Sequence, residues 1–305
     1  MMERTQLSVT IDIEDWYHIP SVCSSPFSVY RDVEEFFEKW GTGYDYLTEP
    51  TAKVLNLLDE YRVEATFFVV GDVVKRYPGL VESIVERGHE IGCHGLYHAC
   101  KIHPKTKMPL ISPEEFNERT LRARDMLEKI CREKVIGYRA PNALVGGWML
   151  DNLERLGFKY DSSVSVNSFY NKTDSNLSGV SSIPYYPKRN CLDAGCERDF
   201  VEFPWSYYNV GGFGLPTGGG PMLRFLNSGL MLKGLKQSLK RGHTVLYFHP
   251  IDISNSKFPG IGKGRPLYWL FKGDMVEKRI RHILTSLRHV KKVRLGEAME
   301  RAHEH

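Results

Sequence analysis

Leu7-Ser8-Val9-Thr10-Ile11-Asp12-Ile13 runs directly into Glu14-Asp15-Trp16. Leu7, Val9, Ile11 and Ile13 fall on one side of an extended chain, and Ser8, Thr10 and Asp12 on the other, so the stretch reads as a β-strand with two unlike faces. Acids at its C-terminal end are costly to bury together unless a cation or a proton compensates them. In parallel α/β folds that end of a strand is where sites are built. The segments downstream repeat the strand-then-helix rhythm. Pro50–Tyr61 is helical in pattern, with Val54, Leu55, Leu57 and Leu58 on one side, and Ala65–Val70 is a β-branched and aromatic run suited to a buried parallel strand. Pro78–Arg87 reads as a helix closed by Gly88, and His89–His94 as the next strand. Ser112 with Glu115 forms a capping box that opens a helix to about Lys134, ahead of strand Val135–Ala140. Gly147–Leu156 is a helix stopped at Gly157, before strand Phe158–Ser162.

The rhythm lapses in Ser165–Gly195 and Gly211–Gly220, expected to be long loops over the scaffold, and resumes in helix Met222–Lys240, strand His243–His249 and helix Glu277–Leu287. With no repeat of fixed period, the expectation is one α/β barrel-like domain over residues 1–305 with long loop insertions. The chain has 305 residues, 42% hydrophobic and 26% charged, enough for a large core. A net charge of +4 lacks the basic footprint of a nucleic-acid binder, so no nucleic-acid partner is expected. No apolar run approaches membrane-spanning length, and the N-terminus lacks signal-peptide features, which points to a cytoplasmic protein with peripheral membrane association left open. Six scattered cysteines without CxxC spacing are expected to be free thiols.

Chemistry-bearing residues gather at the predicted strand ends. Asp12, Glu14 and Asp15 follow the first strand. His94-Gly95-Leu96-Tyr97-His98 follows the third; were the chain to turn into a helix there, the i, i+4 imidazoles would point at one metal. One carboxylate and two histidines make a hydrolytic metal set with room for a water. Arg139, Asp161 and His249 end later strands and offer a cation, a carboxylate and a titratable acid. Gly218-Gly219-Gly220 suits either a mobile substrate loop or a phosphate cradle, the former preferred for want of P-loop residues. Trp205 is the aromatic best placed to stack on a sugar ring.

Thr10-Ile11-Asp12-Ile13-Glu14-Asp15, Thr66-Phe67-Phe68-Val69, Gly88-His89-Glu90-Ile91-Gly92-Cys93-His94 with His98, Gly137-Tyr138-Arg139-Ala140-Pro141, and Leu246-Tyr247-Phe248-His249-Pro250 together resemble the polysaccharide deacetylase family, also called the NodB-homology or carbohydrate esterase 4 family. The resemblance covers Leu7 to about Ile253. Its acidic motif and the ending His249-Pro250-Ile251-Asp252 look like the subgroup of exopolysaccharide and O-antigen biosynthesis proteins. It implies a distorted (β/α)7-type barrel, a divalent metal, usually Zn2+, and removal of an N-acetyl group from a sugar or glycan, free or carried on a nucleotide or lipid. By the same resemblance Asp12 is the base, Arg139 orients it, His249 is the acid, Asp161 steadies that histidine, and His94 and His98 bind metal. Tyr138 and Pro141 of the arginine motif, with Trp205, are expected against the substrate. The family's adjacent aspartates align with Glu14-Asp15, which favours Asp15 as the acidic ligand; strand alternation, which puts Asp12 and Glu14 on one face, keeps Glu14 as the alternative. Two rivals stand beside this reading: a same-fold amidohydrolase of a non-sugar amide, and a non-catalytic glycan-binding relative.

Overall fold

Strand β1 (Gln6–Ile13) is buried along its whole length, and its two faces do different work. Leu7, Val9, Ile11 and Ile13 belong to the large apolar layer between the strands and the surrounding helices. On the opposite face Ser8 bonds Val293 O, Thr10 bonds Leu246 O and Asp12 meets Arg139. In the computed structural model, which describes residues 5–40, 45–166, 172–196, 198–258 and 270–303, β1 belongs to an eight-stranded sheet and pairs with three of its strands. The strands that follow are β2 (Thr66–Val69), β3 (Glu90–Cys93), β4 (Gly137–Tyr138), β5 (Tyr160–Asp161), β6 (Val201–Glu202), β7 (Tyr207–Val210), β8 (Phe213–Pro216), β9 (Thr244–Phe248) and β10 (Lys291–Lys292).

All pairings in the large sheet are parallel. From β1 the order runs through β2, β3, β4 and β5 to β6, while β9 lines the other edge of β1. The far ends are brought together by bridges from Trp205 to Val245 and from Gly219 to Tyr247. Leaving aside the two-residue β10, the result is a curled (β/α)7-type barrel, as expected. Phe68, Tyr160, Phe203, Trp205 and Tyr247 form a second apolar cluster around the buried Arg139, whose guanidinium carbon lies 4.2 Å from the Phe68 ring centroid.

The helices outside the barrel follow the sequence signals closely. Thr48–Tyr61 buries Val54, Leu55, Leu57 and Leu58. Pro113–Cys131 starts where the Ser112 hydroxyl accepts the Glu115 N–H. Met222–Lys240 is two helices, Met222–Phe225 and Ser228–Leu239, because Asn227 leaves helical geometry to cap the second. Gly211-Gly212 is a two-residue turn joining β7 to β8, a hairpin inside what the composition suggests is loop. Gly218-Gly219-Gly220 is neither mobile loop nor phosphate cradle: Gly218 O accepts from Tyr247 N–H, and Gly220 N–H donates to Tyr247 O. A Cβ on Gly219 would sit 1.7 Å from Tyr247 O, so only glycine lets this segment approach β9. The described part of 165–195 carries no named strand or helix, and 167–171 lie outside the described residues. All six cysteines are free.

Candidate active site

β1 stays extended past its last ladder bond, so side chains keep alternating: Asp12 and Glu14 face the pocket, and Asp15, at φ −89° and ψ 166°, faces away. Asp15 caps the short turn Trp16–His18 through Trp16 N–H and accepts from the Tyr77 hydroxyl. Burial raises its pKa to about 7. The preference for Asp15 as the acid beside the histidines is therefore corrected: Glu14 stands there.

Glu14, His94 and His98 each offer a ligand atom, all within 4.8 Å of one another, the one such group among the described residues. The His-x-x-x-His pair is not helical. Gly95 (φ 78°) and His98 (φ 56°) turn the chain through left-handed conformations after β3, and this turn brings the rings face to edge. Nδ1 of His94 lies 2.8 Å from Arg139 O, and Nδ1 of His98 lies 2.8 Å from His18 O. A carbonyl oxygen only accepts, so both Nδ1 atoms carry a proton and each ring turns its Nε2, the atom available for ligation, inward. Those Nε2 atoms are 3.2 Å apart, with Glu14 Oε2 against His98 Nε2 and 3.8 Å from His94 Nε2. Three electron-pair donors converging in a buried place fit a divalent cation with nitrogen and oxygen ligands. Burial pushes the Glu14 carboxyl up, but His98, His249 and His94 outweigh it and hold it well below the usual range. Burial lowers His94 to about 4, leaving it the neutral imidazole that ligation requires.

Asp12 lies beside this cluster. Its Oδ1 accepts from Arg139 Nη1 at 2.6 Å, and its Oδ2 is 3.9 Å from His249 Nε2. Arg139 is fixed in turn: Nε donates to Ser162 O, Nη2 to Ser162 Oγ and Nη1 also to Thr10 Oγ1. His249 Nε2 is 3.6 Å from Glu14 Oε1. On its other nitrogen the partner is Asp252, at 2.9 Å from Nδ1, and Asp252 is itself clamped by Arg224 Nε at 2.6 Å. Burial alone would lower the His249 pKa; Asp252, helped by Glu14 and Asp12, outweighs it and raises it to about 9. Burial works against the Asp252 carboxylate as well, but Arg224 and His249 hold its pKa below the usual range.

Several expected residues lie elsewhere. Asp161 is not at His249: it bonds Ser163 Oγ and stands opposite Glu202 in the β5–β6 pair. Tyr138 points to the outer face of the sheet, packed on Phe116 and Phe158. Pro141 opens the turn after β4 without lining the pocket, whereas its neighbours Ala140 and Asn142 do line it. Trp205 is at the pocket, with its indole N–H on Ser162 O. Sequence reasoning passed over Asp252 and Arg224. The signal for Asp252 was His249-Pro250-x-Asp252, an i, i+3 spacing after a strand that lets one carboxylate cap the backbone and bond the ring.

The pocket has a volume of about 250 Å3, small for a ligand site, with Ile19 and Pro20 on one rim and Lys172, Pro221 and Arg224 elsewhere around it. No helix among the described residues is long and apolar enough to cross a membrane.

Residues 40–160 match the family model described as polysaccharide deacetylase, and residues 168–295 match one described as a domain of unknown function, DUF3473. The first span contains His94, His98 and Arg139; the second contains His249 and Asp252. A peptidoglycan-N-acetylglucosamine deacetylase of Bacillus cereus is 30% identical over 109 residues, 36% of this chain and 47% of the relative. A peptidoglycan deacetylase of Helicobacter pylori is 26% identical over 165 residues, 51% of this chain and 52% of the relative. A chitooligosaccharide deacetylase of a Bradyrhizobium species is 32% identical over 104 residues, 34% and 43% of the two chains. The chain thus spans about half the length of these curated relatives. Among solved structures, a putative polysaccharide deacetylase from Mycobacterium smegmatis superposes with TM-score 0.62 at 20% identity over 100% of this chain and 93% of the other. Puue allantoinase superposes with TM-score 0.59 at 15% identity over 100% and 92%. At such identities the likeness is one of fold.

Proposed function

We propose, from the match of residues 40–160 to the polysaccharide deacetylase model, that this chain is a metal-dependent hydrolase of that family that removes the N-acetyl group of an amino sugar. The observation that carries the reading is the placing of Asp12 and His249, 3.9 Å apart, beside the convergent Glu14, His94 and His98, each fixed from behind by its own ion pair. Glu14, His94 and His98 are the residues that would hold the cation, with Zn2+ the expected ion for this ligand set. Bound there, it supplies Lewis acidity toward an amide carbonyl and toward water. The chain's own groups do the rest. Asp12, its carboxylate oriented by Arg139, accepts the proton of the attacking water. His249, kept protonated by Asp252, gives a proton to the departing amine nitrogen, which makes the amine a viable leaving group. Trp205 offers an apolar face beside these groups on which a sugar ring packs.

The finer assignment is a single domain acting in the cytoplasm on a precursor of bacterial surface polysaccharide, an exopolysaccharide or O-antigen, with the sugar free or borne on a nucleotide or lipid. It rests on the acidic motif and on His249-Pro250-Ile251-Asp252. Because Puue allantoinase shares the fold, the rival is hydrolysis of a small non-sugar amide. The test is acetate release from N-acetylhexosamine oligosaccharides beside ammonia release from small amides and ureides. Acetate release that disappears in His94→Ala supports the proposal; ammonia release without acetate release replaces it.

A further inference from the structure

Behind Arg139 lies a pair of acids that the reaction does not use: Asp161, displaced from its expected place at His249, and Glu202. Asp161 and Glu202 are register partners in parallel strands β5 and β6, so their side chains lie side by side on one face of the sheet, and neither has any exposed surface. One oxygen of each is fully engaged. Glu202 Oε1 accepts the N–H groups of Ser163 at 3.1 Å and Val164 at 2.8 Å, and Asp161 Oδ1 accepts from Ser163 Oγ at 2.8 Å. The other two oxygens, Asp161 Oδ2 and Glu202 Oε2, are buried and take no hydrogen bond from any donor, and the two neighbouring carboxyl groups interact with each other. Two carboxylates in that position cannot both be ionised.

We infer that Asp161 and Glu202 share a single proton, and that Glu202 is a positioning residue which, through the turn Ser162–Val164, sets the Arg139 guanidinium against Asp12. The proton resides on Glu202 Oε2 and is donated to Asp161 Oδ2, because Asp161 is the member that Ser163 and Arg139 stabilise as an anion. Burial raises the pKa of both groups; Asp161 raises that of Glu202 further, whereas the bond from Glu202, with Ser163 and Arg139, works to lower that of Asp161. Two tyrosines also face the pair: Tyr138, the register partner of Asp161 in β4, and Tyr185, whose hydroxyl donates to Leu192 O and whose backbone pairs with Glu202. The chain of contact to the site is short. Ser162 O and Ser162 Oγ receive Arg139 Nε and Nη2, and Ser163 Oγ accepts Ala140 N–H at 2.7 Å, so both sides of Arg139 are held by the turn that Glu202 pins.

The consequence for kcat rests on the deacetylase reading; the proton and the position of Arg139 do not, and the test separates them. In protein carrying 13C at glutamate Cδ, one resonance is expected at the protonated-carboxyl position at pH 7, absent in Glu202→Gln. The Arg139 Nε–H proton signal, assigned by its loss in Arg139→Lys, is expected to persist in Glu202→Gln, whose amide can donate to Asp161, and to broaden or move in Glu202→Ala. If the chain deacetylates sugars, Glu202→Ala lowers kcat roughly 10- to 100-fold with little change in KM, and Glu202→Gln restores most of it. Absence of a protonated glutamate lost in Glu202→Gln would overturn the shared proton. An Arg139 signal unchanged in a folded Glu202→Ala would overturn the positioning role, whatever the substrate proves to be.

Discussion

The Nε2 atoms of His94 and His98 stand 3.2 Å apart, each ring turned by a backbone carbonyl on its Nδ1. Backbone, rather than flexible side chains, sets both rings, so the donor set is formed before any ion arrives. Such preorganisation favours binding because little ordering remains to be done.

The His249–Asp252 pair predicts the alkaline side of the pH profile. His249 acts in its protonated form, so kcat/KM should fall as pH rises through its pKa, raised to about 9 chiefly by Asp252 against the lowering effect of burial. In Asp252→Asn burial gains the upper hand and the alkaline limb moves to lower pH by roughly one unit or more. pH–rate profiles of the two proteins check this; coincident alkaline limbs would remove His249 from the role of acid.

Arg139→Met strips buried Asp12 of its hydrogen-bonded cation and leaves it only the more distant His249 at 3.9 Å, both members of the Arg139–Asp12 pair being at most 5% exposed. The variant should lose about 3 to 5 kcal/mol of stability by urea denaturation. Adding Asp12→Asn removes the stranded charge and should recover part of that loss, a coupling measurable as a double-mutant cycle. Activity should remain lost in both, because the base is misplaced in one and absent in the other.

His89 predicts a stability effect remote from the site. Its Nδ1 accepts Ala65 N–H, which only the neutral ring can do, and burial lowers its pKa to about 4. The unfolded chain takes up this proton near the ordinary histidine pKa of about 6.5. The stability that the neutral ring contributes is therefore present above that pH and lost as pH falls toward about 4, at a cost of roughly 2 kcal/mol by pH 5. His89→Asn keeps an acceptor for Ala65 N–H and does not titrate, so its urea midpoint should fall less than that of the wild type between pH 7 and pH 5.

Much of the barrel was legible because alternation and β-branched runs are local signals. β1, β2, β3 and β9 appear within a residue or two of their sequence limits, whereas β4 and β5 shrink to two residues because the ladder at Gly137–Tyr138 and Tyr160–Asp161 is short. The hairpin at Gly211-Gly212 escaped notice because six glycines in ten residues look like loop, although two of them are the turn itself. The histidine pair was read correctly as a pair but not as a loop, since left-handed geometry at a non-glycine such as His98 has no compositional mark. The choice between Glu14 and Asp15 turned on whether strand geometry outlasts the strand. It does, and alternation decides the matter more reliably than adjacency. Asp161 and Asp252 were confused because only the folded chain shows which carboxylate reaches His249.

The central claim is that Glu14, His94 and His98 hold one divalent cation. Elemental analysis of purified protein after incubation with Zn2+ and desalting tests it most directly, with Glu14→Gln, His94→Ala and Asp15→Asn beside the wild type. About one ion per chain is expected in the wild type and in Asp15→Asn, and little in Glu14→Gln or His94→Ala. A full complement of metal in Glu14→Gln together with its loss in a folded Asp15→Asn, or no metal in the wild type, would contradict the account.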